Sequence, residues 1–198
     1  VPKMIFFKRT DGGSTGWLVY NASQGNSKYG VLNHTQAFQA GGAVYFPSTP
    51  TSSSFEVGEG FNDGWINGNG LSYVAYVFGD DASFGEDGDE QICKMGSFTP
   101  TGSGTAKQTI NLGFEPQWLI IKNSTSSQSG GWWIFDNMRG FTAGDGNGSE
   151  YLLANTSGAA SAFGAGSINI TNQGFEMVNN AFVSSSQTFI YMAIRRPM

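Results

Sequence analysis

Two stretches of this chain follow one plan. Pro2–Gly25 (PKMIFFKRTDGGSTGWLVYNASQG) and Pro116–Gly140 (PQWLIIKNSTSSQSGGWWIFDNMRG) each open on Pro and run through an apolar segment to Lys. Each then crosses a Gly/Ser/Thr loop and resumes at Gly-Trp. The correspondence continues in order: Tyr29–Asn33 with Tyr151–Asn155, Phe55–Val57 with Phe175–Met177, and Ser72–Phe78 with Thr188–Ile194. A duplicated unit constrains the fold more than local propensity does, because both copies must adopt related structures. Residues 1–79 are therefore read as a first repeat, 80–91 as an acidic linker, and 92–198 as a second repeat. Two strand-like segments, Ile92–Thr99 and Gln108–Phe114, have no counterpart in the first copy. The first sheet is expected to need completion by residues beyond this stretch or by another chain, since bare strand edges invite pairing.

The segments themselves read as strands. Met4–Arg9, Trp17–Asn21, Phe55–Val57, Trp118–Lys122 and Trp132–Asp136 are short, aromatic or β-branched, and bounded by Gly, Ser and Asn. Leu71–Phe78 is nearly continuous in apolar residues, the pattern of a strand buried on both faces. No window carries a sustained helical stripe. With 29 Gly, 14% aromatic and 13% charged residues, the chain fits an all-β sandwich and not a disordered segment.

A net charge of −5 argues against nucleic-acid binding, which needs clustered Lys and Arg. Membrane insertion lacks an apolar run of roughly 20 residues. Val1 enters directly into a strand-like segment, so the chain reads as a piece of a longer one. Cys93 is the sole cysteine, which rules out an internal disulfide and leaves the redox compartment open.

Several constellations are candidate sites. Asp136 and Arg139 stand at a strand exit, either as a ligand-facing pair or as a clamp on the turn. Trp132 and Trp133, with Trp17 in the other copy, form either a carbohydrate-stacking platform or core; adjacent residues on a strand point to opposite faces. Trp65 is a candidate interface residue. The acidic run containing Asp80, Asp81, Asp87 and Asp89 offers oxygens for calcium but lacks the spacing of an EF-hand loop, so a solvated linker is the alternative. Catalytic readings find little support. His34 is the only histidine, and no nucleophile elbow or phosphate loop occurs in a strand–helix setting. Carboxylate pairs such as Glu56 with Glu59 have nothing in their spacing that marks a glycosidase.

The set GSFTPTGSGTAKQTINLGFEPQWLIIKN, GGWWIFDNMRG and TFIYMAIRRPM resembles a β-rich tandem domain of phage virion proteins, found in tail-fibre-like and surface proteins of marine and aquatic phages. Residues 92–198 fit the whole pattern and 2–78 a diverged copy, in which Asn21 to Gln24 replace Asp136 to Arg139. The resemblance implies two jelly-roll-like sandwich units and a non-catalytic part of a tail fibre or of a host-contact or decorating appendage. It implies location on the virion, contact with other virion proteins, homo-oligomeric assembly, a possible host glycan as ligand, and no cofactor. A lectin or carbohydrate-active enzyme and a purely architectural module are the alternatives.

Overall fold

The computed structural model describes all residues except 62–63, 81–83, 85–86, 88–89, 102–106, 128–130, 144–148, 163–166, 179–186 and 196–198. The protein is all-β. Its first half supplies β1 (Pro2–Arg9), β2 (Leu18–Asn21), β3 (Lys28–Val31), β4 (Gln39–Ala40) and β5 (Tyr73–Gly79). A one-turn helix, α1 (Gly42–Tyr45), interrupts them. The second half supplies β6 (Cys93–Phe98), β7 (Lys107–Asn111), β8 (Pro116–Asn123), β9 (Trp132–Asp136) and β10 (Glu150–Leu153). It continues with β11 (Ser161–Ala162), β12 (Ile168–Thr171), β13 (Gly174–Val178) and β14 (Phe189–Arg195).

Three antiparallel sheets result, in the orders β4-β3-β2-β1-β5, β11-β10-β9-β8-β14-β6 and β12-β13-β7. The five-stranded order of the first sheet is repeated inside the six-stranded one. Register is repeated too. Ile5 faces Val77 and Tyr20, while the matching Leu119 faces Ala193 and Phe135.

Alternation along the strands gives the five- and six-stranded sheets two apolar faces each, and both are covered. Met4, Phe6 and Val19 of the first sheet pack against Ile120, Trp132 and Met192 of the second in one shared layer. The opposite face of the six-stranded sheet, with Leu119, Trp133 and Phe135, packs on Ile110, Phe175 and Met177 of the three-stranded sheet. On the far side of the first sheet, Ile5, Leu18 and Tyr20 are covered by Tyr45, Phe46 and Ile66 from the long connection before β5. Gly42 lets that connection dock. A Cβ there would lie 2.4 Å from the carbonyl oxygen of Lys28, so only glycine fits against β3.

Two expectations change. Phe55–Val57 forms no strand; Phe55 and Val57 pack half-buried against the outer face of the first sheet. Their counterparts lie in β13, which is held between β12 and β7, and no described strand of the first copy plays the part of β7. The apolar run of Leu71–Phe78, expected to be buried on both faces, forms the edge strand β5, with Tyr76 50% and Val77 45% exposed. Composition alone does not distinguish a strand that has one neighbour from one that has two. Among the described residues, no helix is long and apolar enough to cross a membrane.

Candidate functional site

The exit of β9 is built around Asp136. Its backbone is still extended (φ −148°, ψ 157°), so its carboxylate can turn back over the following 3-10 turn, Asn137–Arg139. Oδ1 accepts the backbone N–H of Arg139 at 3.0 Å, and Oδ2 pairs with the Arg139 guanidinium. Gly140, at φ 87°, closes the turn, and the Phe141 N–H donates to the Asp136 carbonyl at 3.1 Å, which seats the Phe141 ring in the core. A side-chain acceptor on an orphan N–H is the ordinary work of a cap. In the first copy Asn21 does the same locally, its Oδ1 accepting the Ser23 N–H at 3.0 Å. Asp136 and Arg139 therefore form a turn clamp, and Arg139 alone keeps part of its charge toward solvent.

Two open hollows flank this turn. One, about 600 Å³, is lined by Trp118, Asp136, Met138, Arg139 and Ile194. The other, about 510 Å³, is lined by Glu115, Asn137, Thr142, Ile170 and Thr171. Met138, 90% exposed, belongs to the rim of the first. The first hollow offers an apolar floor beside a guanidinium, which suits a planar or pyranose ring carrying an acceptor group.

Trp132 and Trp133, expected as ligand-facing candidates, are both inside, 1% and 7% exposed. The sheet is covered on both faces, so the alternation that separates the two indoles sends each into a different core layer. The Trp132 indole N–H donates to the Val31 carbonyl at 3.1 Å, across the shared layer. Trp17, its counterpart, is half-buried and stacks on Tyr76 at 6.1 Å. The duplication extends to their backbones: the Trp17 N–H donates to Asn33 Oδ1 at 2.8 Å and the Trp132 N–H to Asn155 Oδ1 at 3.0 Å. Trp65 is half-buried in its own copy, close to Gly16 and edge-on to His34 at 6.4 Å.

Lys122 was not apparent from sequence as a site residue. It lies buried between the first two sheets, its Nζ donating to the Thr35 carbonyl at 3.0 Å and sitting 6.0 Å from the Trp132 ring. Burial pushes its ammonium down to about 8. Its counterpart Lys8 instead donates to the backbone and hydroxyl of Thr15. The signal was present in the matching Lys at the end of each apolar run, but nothing in the sequence says what covers it.

Of the calcium candidates, Asp81 and Asp89 lie outside the described residues. Asp87 is exposed, and the Asp80 carbonyl accepts from the Gln91 amide. Among the described residues no group of three or more His, Cys, Asp or Glu could hold a metal ion. The Cys93 thiol is pushed up to about 11, by burial first and by the charge of Asp80 second. That leaves little thiolate at neutral pH.

Residues 1–196 match the model of a domain family of unknown function, DUF7483. The chain belongs to that family. No curated protein and no solved structure matches it. The DUF7483 match runs through both copies, as does the core layer that joins them.

Proposed function

We propose that the protein is a non-catalytic surface component of a phage particle, part of a tail fibre or of a host-contact or decorating appendage. Its work on this reading is mechanical: three stacked sheets hold the described turns and the hollow beside Asn137–Arg139 in place. The observation that carries the reading is how the conspicuous side chains are engaged. Trp132 and Trp133 fill core layers and Asp136 caps a turn, so the chemistry that looked site-like maintains a rigid scaffold. The resemblance of the motif set to virion surface domains supports the same direction. Repeated presentation on an oligomeric particle would turn weak single contacts into firm attachment.

Antibodies raised against residues 1–198 should decorate purified particles in electron micrographs, and peptides of the chain should appear in their mass spectra. Detection only in the soluble lysate of infected cells would sink the virion assignment. A glycan-binding version is favoured by the hollow at Trp118 and Arg139. On a host-polysaccharide array, binding that disappears in Trp118→Ala would support it, and a blank array would leave the architectural version.

A further inference from the structure

The outer edge of β5 differs from the other sheet edges. β4 and β11 are two residues long. β12 is covered where Ile170 N–H donates to the Thr142 carbonyl, and β7 where the Gln108 side chain bonds Thr99 and Thr101. β6 carries Lys94. Short length, cover and lysine are the usual ways in which edges are kept from pairing. β5 has seven residues, YVAYVFG, with no charge and no proline.

Its backbone phase is fixed by one bond. The Thr10 N–H donates to the Ser72 carbonyl at 2.8 Å, in register with Arg9 opposite Tyr73. Antiparallel pairs alternate between bonded and non-bonded, so Val74, Tyr76 and Phe78 spend their backbone groups on β1. Those of Tyr73, Ala75 and Val77 point outward, and no described residue meets them. The second copy shows the same arrangement occupied. Ser124 N–H to the Thr188 carbonyl places Ile190 and Met192 on β8. Phe189, Tyr191 and Ala193, the matches of Tyr73, Ala75 and Val77, then turn to β6, an antiparallel strand with Met95 opposite Met192.

We propose that the outer edge of β5 is a strand-acceptor site that takes one antiparallel extended segment of another polypeptide, as β14 takes β6. The register specifies its chemistry. Residues opposite Tyr76 and Phe78 continue the layer shared by the two sheets, where Phe78 already packs, and are apolar. Residues opposite Val77 face solvent and are polar or basic, like Lys94 opposite Ala193. The residue opposite Ala75 can be large. In the occupied copy that place is Gly96, whose Cβ would come within 2.6 Å of the Tyr191 hydroxyl, and Ala75 removes that limit. The proposal is independent of the virion reading.

Two synthetic peptides test it, residues 92–99 with Cys93→Ala, which keeps the place opposite Phe78 apolar, and the same peptide with Gly96→Val. In the free protein the amides of Tyr73, Ala75 and Val77 should exchange with deuterium far faster than those of Val74, Tyr76 and Phe78. Peptide should bind saturably and protect the first set. Ala75→Pro removes an outward N–H without touching the β1 ladder, and should weaken binding at least about tenfold while β1 amides stay protected. Val77→Lys should do likewise if the proline variant folds poorly. Failure of both peptides to bind, or binding indifferent to these substitutions, overturns the proposal. So does protection of the outward amides in dilute free protein, which would mean that the chain covers its own edge. Protection that rises with protein concentration alone would assign the edge to a second copy instead.

Discussion

The two copies share strand order, register and the capping of their second strands, yet they cover their outer faces differently. In the second copy, Leu119, Trp133 and Phe135 lie under a sheet of three strands; in the first, the matching Ile5, Leu18 and Tyr20 lie under irregular chain anchored by Tyr45, Phe46 and Ile66. What an apolar sheet face requires is removal from water, and regular structure is only one way to achieve that. The edges show the same contrast, with β14 flanked on both sides and β5 on one.

The sharpest break of the comparison is a charge at matched positions. Ala193→Lys buries an unpaired ammonium between β8 and β6 and should destabilise by more than about 4 kcal/mol, or prevent folding. Val77→Lys, at the equivalent place on the open edge, should stay within about 0.5 kcal/mol. Urea unfolding of both variants reads the difference; equal losses would mean that β5 is covered. Next come the paired indoles. Trp132→Ala should cost roughly 3–5 kcal/mol, by cavity formation and the loss of a hydrogen bond that crosses the shared layer. Trp17→Ala, half-exposed, should cost less than half as much by the same assay.

Lys122 offers a pH test. Its folded-state value of about 8 lies below the 10.5 of a free lysine, so between the two the unfolded chain binds more protons. Stability should therefore rise with pH from about 8 toward 9, with a limiting slope of roughly 1.4 kcal/mol per unit. Lys122→Met should remove that rise; a persisting slope would assign it to another group. Smallest are the caps. Asp136→Ala and Asn21→Ala should each lose about 1 kcal/mol, and Asp136→Asn should recover part of it, since an amide oxygen still accepts the Arg139 N–H. Thermal melts would resolve the three.

Much of the scaffold was legible because duplication places strand against strand. β9 occupies the expected Trp132–Asp136, and β1, β8 and β14 fall within a few residues of expectation. What covers each face was not legible. Alternation separates Trp132 from Trp133 but says nothing of a sheet lying over each, so one of the two could be read as exposed. Leu71–Phe78 misled for a related reason: an apolar run is the same string whether or not a neighbour is present. Asp136 and Arg139 were recognised as a pair with two meanings, and the extended backbone at Asp136, which sequence does not specify, decides for the clamp.

The layer between the first two sheets also has a consequence for how the halves can change over time. Positions derived from one ancestral face now meet as partners, so a substitution at Phe6 alters the surroundings of residues contributed by the other half. Drift on the inward faces is thereby coupled, each copy acting as the environment that filters the other's variation. The outward faces are released from that bond, and there one copy carries a third sheet while the other carries a loop.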